Sequence, residues 1–414
     1  MHRRQSAASL RTTELFEQSF DTIAGWLNAP SRRSIATYSN TTEAQNAVMY
    51  SLLTEFRDGD NIVTTMMEHN SNFVPWYALC REILPRLGRN VDLRVARFDH
   101  GTGELDLDHL ASLVDSGTKL VCCTGASNFL GTKPPLRVIR DIADRSGYLQ
   151  PNGECRSRLL VDGAQLVPTS RVDVQELDID YLTFSFHKFM APFGVGVLYA
   201  KEHLLQQSLP FLYGGDMIAQ GRVAPDLVEY NDLPWKYSAG TPNILGVIVS
   251  AQALRFAVDL MGAAGGPVYF RTSTPVPRSA VTATMDAIGG HTDRLTARAM
   301  RALGEVPGVT IYGPAVGTAR SPLVSFNVAG WNPMALAAGL NQAGVESRAG
   351  CHCATLAHRD LGLDPAASCR LSFYLYNSDD DVDRAVDAVR QVVASRTVPA
   401  ARPLVTTGGR HRRD

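Results

Sequence analysis

The stretch TFSFHKFMAPFGVGVLY, residues 183–199, places Lys188 directly after the apolar run Tyr181–Phe186. Burial strips water from an ammonium, disfavours its charged form and lowers its pKa. A lysine in such a place needs a partner or a task. Upstream, Asp162 follows the apolar LLV in VDGAQ. In open α/β sheets, ligands bind beyond the carboxyl ends of the strands, so both side chains are expected in one crevice. An aspartate beside a desolvated lysine is the minimum equipment for holding pyridoxal phosphate. The lysine forms a Schiff base, and the carboxylate keeps the pyridine nitrogen protonated so that the ring draws electrons. The same two residues also suit a buried ion pair, or a lysine exposed in a turn.

Their neighbours extend the chemistry. Ser185 and His187 flank the lysine and are able to donate to a phosphate. Thr41 and Thr42 open the helix-like TTEAQNAVM and offer hydroxyls and helix N-terminal N–H groups to the same anion. Gln165 is placed to donate to a phenolic oxygen. Each has a plainer reading: Thr41 or Thr42 as a helix N-cap, His187 as a core histidine. A second concentration of reactive groups is ESRAGCHCATLAH, where Cys351 and Cys353 flank His352. A metal site there is disfavoured, since adjacent residues rarely converge on one ion and no matching second pair occurs. Buried structural thiols are the other reading.

The elements that must position these groups follow from periodicity. NIVTTM (61–66), KLVCCTG (119–125), RLLVDGA (158–164), YLTFSF (181–186) and GVGVLYA (194–200) are short, β-rich and apolar. They alternate with helix-like TEAQNAVMYSLLTEF and PPLRVIRDIADRSG, which predicts an α/β domain with a mostly parallel sheet. GTPNILGVIVSAQALRFAVDLM reads as a long helix. Residues 262–285, rich in Gly, Pro and Thr, read as a loop or insertion. A smaller α+β block follows, closed by a helix near DDDVDRAVDAVRQVV with Asn377-Ser378 at its start. The expected division is a large domain over 16–245, a small domain over 246–396 and a disordered tail over 397–414.

The chain has 414 residues, 45% hydrophobic, with a formal net charge of -1. That near-neutral balance argues against nucleic-acid or anionic-membrane binding. No apolar run follows the basic start MHRR, and no stretch reads as a bilayer span, so no secretory signal or membrane insertion is expected. Seven cysteines without paired spacing suit reduced thiols and a cytoplasmic setting.

NTTEAQN, GDNIVTTMMEHNSNFVPW, ASNFLGT, VDGAQ, SFHK, AGTPN, RAGCHCA and CRLSFYLYN occur in the order found in class V aminotransferase-type enzymes. The chain most resembles the cysteine desulfurases and selenocysteine lyases of the sulfur-mobilisation type, over about residues 2 to 395. The resemblance implies a fold-type I pyridoxal-phosphate enzyme, normally a homodimer with sites at the subunit interface. It makes Lys188 the Schiff-base lysine, Asp162 the pyridinium partner and Gln165 the contact to the ring oxygen. His69 of MEHNSN stacks on the ring and takes part in proton transfer. Thr41, Thr42, Ser185 and His187 hold the phosphate, with Thr241 of AGTPN supplied by the partner subunit. Asn128, Arg348 and Arg370 are implied to face the substrate, and paired guanidinium N–H groups match a carboxylate.

By the same resemblance Cys353 is the nucleophile: its thiolate attacks the sulfur of cysteine, leaving a persulfide and releasing alanine. Nearby arginines and His352 are expected to lower its thiol pKa. A sulfur-acceptor protein is a further implied partner. The sequence departs from the family pattern at RAGCHCA, where RTGHHCA is commoner, and at Thr124-Gly125, where many relatives have Thr-His. The start at MHRRQ implies a missing lead-in segment. A related C–S lyase, aminotransferase or epimerase, and an inactive scaffold subunit, are the competing readings. Intact Lys188, Asp162 and His69 speak against the last.

Overall fold

The computed structural model describes residues 6–262 and 265–395. The short apolar runs form one seven-stranded sheet. It comprises β1 (Ile35–Tyr38), β2 (Asn61–Thr65), β3 (Asp92–Ala96), β4 (Thr118–Thr124), β5 (Arg158–Asp162), β6 (Tyr181–Ser185) and β7 (Gly196–Ala200). The order across the sheet is β1-β7-β6-β5-β4-β2-β3. Strands β3, β2, β4, β5 and β6 run parallel, whereas β7 is antiparallel to both β6 and β1. Every residue of β2, β4, β5, β6 and β7 is buried, the pattern of a sheet covered on both faces. This is the mostly parallel α/β sheet that the sequence predicts.

The helices that precede the small block are α1 (Ala7–Leu27), α2 (Thr41–Leu52), α3 (Val74–Ala78), α4 (Leu107–Leu113), α5 (Leu136–Asp144), α6 (Glu202–Gln207), α7 (Ile244–Met261) and α8 (Arg278–Gly304). An exposed hairpin, β8 (Ile218–Ala224) and β9 (Leu227–Tyr230), lies between α6 and α7. Helix α1 packs along α7, and its buried Phe16 and Phe20 meet Trp235 at 5.9 and 5.3 Å between ring centres. Contrary to the sequence reading, α7 is long and apolar enough to cross a membrane. It is a core helix in this fold: Val247, Leu254, Ala257 and Val258 are buried in the main core.

The expected loop over 262–285 is shorter than predicted, because α8 begins at Arg278. Val281, Met285 and Ile288 recur on one buried face, a helical period that the preceding Gly, Pro and Thr residues obscure. The stretch before α8 is pinned rather than loose. Asp259 accepts the N–H groups of Tyr269 and Phe270, both at 2.8 Å, and Arg255 donates to the Thr274 carbonyl at 2.7 Å.

The second sheet comprises β10 (Val309–Tyr312), β11 (Leu323–Val328), β12 (Arg348–Gly350) and β13 (Ser368–Ser372), antiparallel in the order β10-β11-β13-β12. Its core, including Leu303, Phe326, Leu336 and Val389, is closed by α8, α9 (Pro333–Gln342) and α11 (Asp379–Ser395). A short α10 (Thr355–Asp360) follows β12. Helix α11 starts as its sequence predicts: the Ser378 hydroxyl accepts the Asp381 N–H, and the Asp381 carboxylate accepts the Ser378 N–H. The tail expected over 397–414 lies outside the described residues.

Candidate active site

Strands β5 and β6 are adjacent and parallel, with Asp162 opposite Thr183, so their carboxyl ends open on the same side of the sheet. Asp162 ends β5. After Ser185 ends β6, one turn of 3-10 helix, Phe186–Lys188, carries the chain past the sheet edge. Both side chains line one pocket of about 780 Å³. The pocket also gathers Thr41, Thr42, His69, Asn128, Gln165, Ser185, His187, Arg348 and Arg370. Residues drawn from both sheets and the start of α2 thus converge on one space.

Helix α2 is capped by Asn40, whose side chain accepts the Glu43 N–H at 3.0 Å. Neither Thr41 nor Thr42 is the cap; both sit in the first turn, where their hydroxyls pair with those of Ser185 and Ser71 at the pocket wall. The Ser185 hydroxyl accepts the Thr41 N–H at 2.7 Å and lies 2.5 Å from Thr41 Oγ1. The end of β6 is thereby fastened to the start of α2. A Cβ on Gly196 would lie 2.3 Å from the Asn40 carbonyl carbon; only glycine lets β7 pass so close to that helix start.

His69 Nδ1 accepts the Ser71 N–H at 3.0 Å, which leaves the proton of the neutral ring on Nε2. Burial lowers the pKa of His69 against the pull of Asp162, and Lys188, Arg348 and Arg370 add to the lowering. Burial also pushes the Lys188 amine down, while the Asp162 carboxylate holds it up. His187 is lowered by burial and by Lys188, and its ring stacks on Phe193 at 5.6 Å.

Beneath His69 lies a group the sequence reading missed. Glu68, fully buried, accepts the Thr65 hydroxyl at 2.6 Å, the Thr124 N–H at 2.9 Å and the Asn72 amide at 2.6 Å. Burial drives its carboxyl up to about 8 against these three bonds. Sequence reasoning also missed Ser71, whose hydroxyl is 2.7 Å from Thr42 Oγ1; its place in MEHNSN was the available signal. Phe211, another lining residue, follows α6 with no local signature.

Cys353 is not among the residues lining the pocket, but its loop is tied to it. The Asn70 N–H donates to the Cys353 carbonyl at 2.6 Å, and Asn128 Nδ2 donates to the His352 carbonyl at 2.6 Å. Arg370 in turn donates to the Asn128 carbonyl at 2.7 Å. His352 and Cys353 both adopt left-handed backbone, φ 53° and 57°, which costs non-glycine residues on the order of 1–3 kcal/mol each. The surrounding bonds over-determine that conformation. His352 is not the charged neighbour that the sequence reading expected. Burial, Arg370 and His358 depress it to about 3, and its Nε2 faces the carbonyl and hydroxyl of Ser368 at 3.1 Å. Positive charge near the thiol comes from Lys188 and Arg370.

Arg348 and Arg370 stand directly opposite one another on β12 and β13. Like charges in register repel, and an anion shared between them relieves that repulsion. Thr241 is exposed, on the turn before α7, and does not line this pocket. The donor set fits pyridoxal phosphate: hydroxyls and helix N-terminal N–H groups for a phosphate, a carboxylate for a ring nitrogen, an amine for an aldehyde. Asn128 Oδ1 is also buried without a protein partner, as a group awaiting a ligand would be.

Residues 1–264 and 280–385 match the aminotransferase class-V family. The chain belongs to the class V aminotransferase family. Residues 265–279 fall outside the match, within the stretch read from sequence as an insertion. This class V chain is 39% identical over 399 residues to the probable cysteine desulfurase of Halobacterium salinarum, covering 95% of this chain and 85% of that one. It is 36% identical to the cysteine desulfurase of Haloferax volcanii, covering 94% and 82%. Among solved structures, the cysteine desulfurase of Thermococcus onnurineus superposes with a TM-score of 0.81 at 30% identity, covering 95% of this chain and 87% of that one. The cysteine desulfurase CsdA of Escherichia coli gives 0.78 at 29%, covering 95% and 88%.

Proposed function

We propose that the chain is a pyridoxal-phosphate-dependent cysteine desulfurase that converts L-cysteine to L-alanine and keeps the sulfur as a persulfide on Cys353. One observation carries the residue assignment: the Asn70 N–H bond to the Cys353 carbonyl joins the thiol loop to the turn that carries His69. The relatives' names and the superposition support the activity.

Thr41, Thr42, Ser185, His187 and the N-terminus of α2 would hold the phosphate. Asp162 would hold the ring-nitrogen proton and Gln165 the ring oxygen, with His69 beside the ring. Held there, pyridoxal phosphate would supply an electron sink for the amino acid, weakening its bond to sulfur. Lys188, with its pKa lowered by burial, has more of the neutral amine needed to bond the aldehyde and move protons. Arg348, Arg370 and Asn128 orient the substrate carboxylate. The Cys353 thiolate attacks the substrate sulfur; the carbon–sulfur bond breaks, a sulfur–sulfur bond forms, and the carbon takes a proton to become alanine.

The working unit is a homodimer in the cytoplasm, passing sulfur to an acceptor protein. Exposed Thr241 then serves the partner's phosphate site, since it does not line the pocket of its own chain. The test is product analysis with Cys353→Ser. This variant is expected to keep its cofactor absorbance and lose alanine and persulfide, because a hydroxyl at neutral pH is a poor nucleophile towards sulfur. Retained turnover, or pyruvate with ammonia and sulfide, would move the assignment to a C–S lyase or aminotransferase.

A further inference from the structure

The proposed reaction leaves Cys351 idle, although it stands two residues from the thiol assigned to take the sulfur. Both Cys351 and Cys353 are free and partly exposed. His352 between them is 2% exposed, its ring turned inward against Ser368. The Cys351 carbonyl accepts the Ala354 N–H at 2.7 Å, and the two central residues of that turn have positive φ. This is a tight primed turn, which folds the chain back on itself. With the middle side chain driven into the core, the two flanking cysteines stay partly exposed within one turn. Gly350, immediately before Cys351, has φ 123° and open space where a side chain would stand.

We propose that Cys351 is a second sulfur-carrying residue, which takes the terminal sulfur from the Cys353 persulfide. This rests on the desulfurase reading above. The Cys351 thiolate attacks the outer sulfur; the sulfur–sulfur bond on Cys353 breaks, and its electron pair returns to Cys353 as thiolate. A new sulfur–sulfur bond forms on Cys351, so sulfur is moved without net oxidation or reduction. Cys353 is thereby reset for another cysteine before any acceptor arrives. One chain holds two transferable sulfurs.

The test mixes holoenzyme with L-cysteine, without acceptor or reductant, then alkylates and maps the tryptic peptide 349–359 by mass spectrometry. The burst expected from wild type is about two alanines per chain, with sulfur on Cys351 as well as Cys353, and about one in Cys351→Ser, with sulfur on Cys353 alone. Cys353→Ser should show no sulfur on Cys351, because the relay is fed only through Cys353. Equal bursts in wild type and Cys351→Ser, with Cys351 unmodified, would overturn the relay. So would a Cys351–Cys353 disulfide formed with release of sulfide, which reports attack on the inner sulfur instead. Wild type that gives no alanine at all refutes the desulfurase reading, and the relay with it; an alanine burst without sulfur on Cys351 refutes the relay alone.

Discussion

The Asn70 N–H donates to the Cys353 carbonyl at 2.6 Å, joining the turn after β2 to the loop after β12. Asn70 directly follows His69, and the bonded carbonyl belongs to the residue assigned as nucleophile. Movement of either loop is therefore felt by the other. Together with the Asn128 bond to the His352 carbonyl, this contact fixes the Cys353 loop beside the turn that carries His69.

Asn70→Pro removes that donor with little backbone conflict, because His69 is already extended at ψ 144°, as a residue before proline must be. The loss of a bond holding a strained loop is expected to cost about 1–3 kcal/mol in turnover, a roughly five- to 150-fold drop. Circular dichroism and cofactor absorbance should stay near wild type. Unchanged turnover would show that the bond does not position the thiol.

Lys188→Ala should lose the near-visible absorbance of bound cofactor and all turnover while remaining folded. Asp162→Ala should retain cofactor and lose most turnover, because the ring nitrogen loses its charged partner. Asp162 also holds the Lys188 pKa up, so in the cofactor-free chain Asp162→Ala should move the titration of the Lys188 amine, read by its reaction with an aldehyde probe, to lower pH. A shift to higher pH would contradict the pairing.

Glu68→Ala strands three donors, the Thr65 hydroxyl, the Thr124 N–H and the Asn72 amide, in a buried space. The expected destabilisation is about 3 kcal/mol or more, read as a lower denaturant midpoint. A loss under about 1 kcal/mol would mean that water replaces the carboxylate.

His352 supplies a pH signature. Its folded pKa is depressed to about 3, whereas an unfolded histidine titrates near 6.5. Between these values only the unfolded chain takes the proton, so this contribution to stability is complete above about pH 6.5 and is lost as pH falls toward 3. The slope from this one group approaches about 1.4 kcal/mol per pH unit. Urea midpoints at several pH values should show that slope in wild type and a shallower one in His352→Gln. Parallel slopes would place the acid sensitivity elsewhere.

The order of short apolar runs and helical segments was enough to predict the parallel sheet, and the crevice beyond its strand ends. Asp162 and Lys188 were legible for the same reason: each follows an apolar strand, and the chain has nowhere to take a polar side chain except past the sheet edge. The start of α8 was hidden because Gly, Pro and Thr upstream of Arg278 outweighed a buried helical face that only packing reveals. Which of Asn40, Thr41 and Thr42 caps α2 was decided by backbone geometry, since all three types cap well. Glu68 carried no distinguishing signal in the sequence, and His352 was expected to lower the thiol pKa. Their states follow from burial and from partners such as Asn72, Thr124 and Ser368. The left-handed turn at His352 and Cys353 is likewise held by Asn70 and Asn128, which are remote in sequence. Periodicity and strand-end position are local properties, readable along a chain. Desolvation and long-range hydrogen bonding exist only once distant segments meet, and the tertiary structure alone decided them.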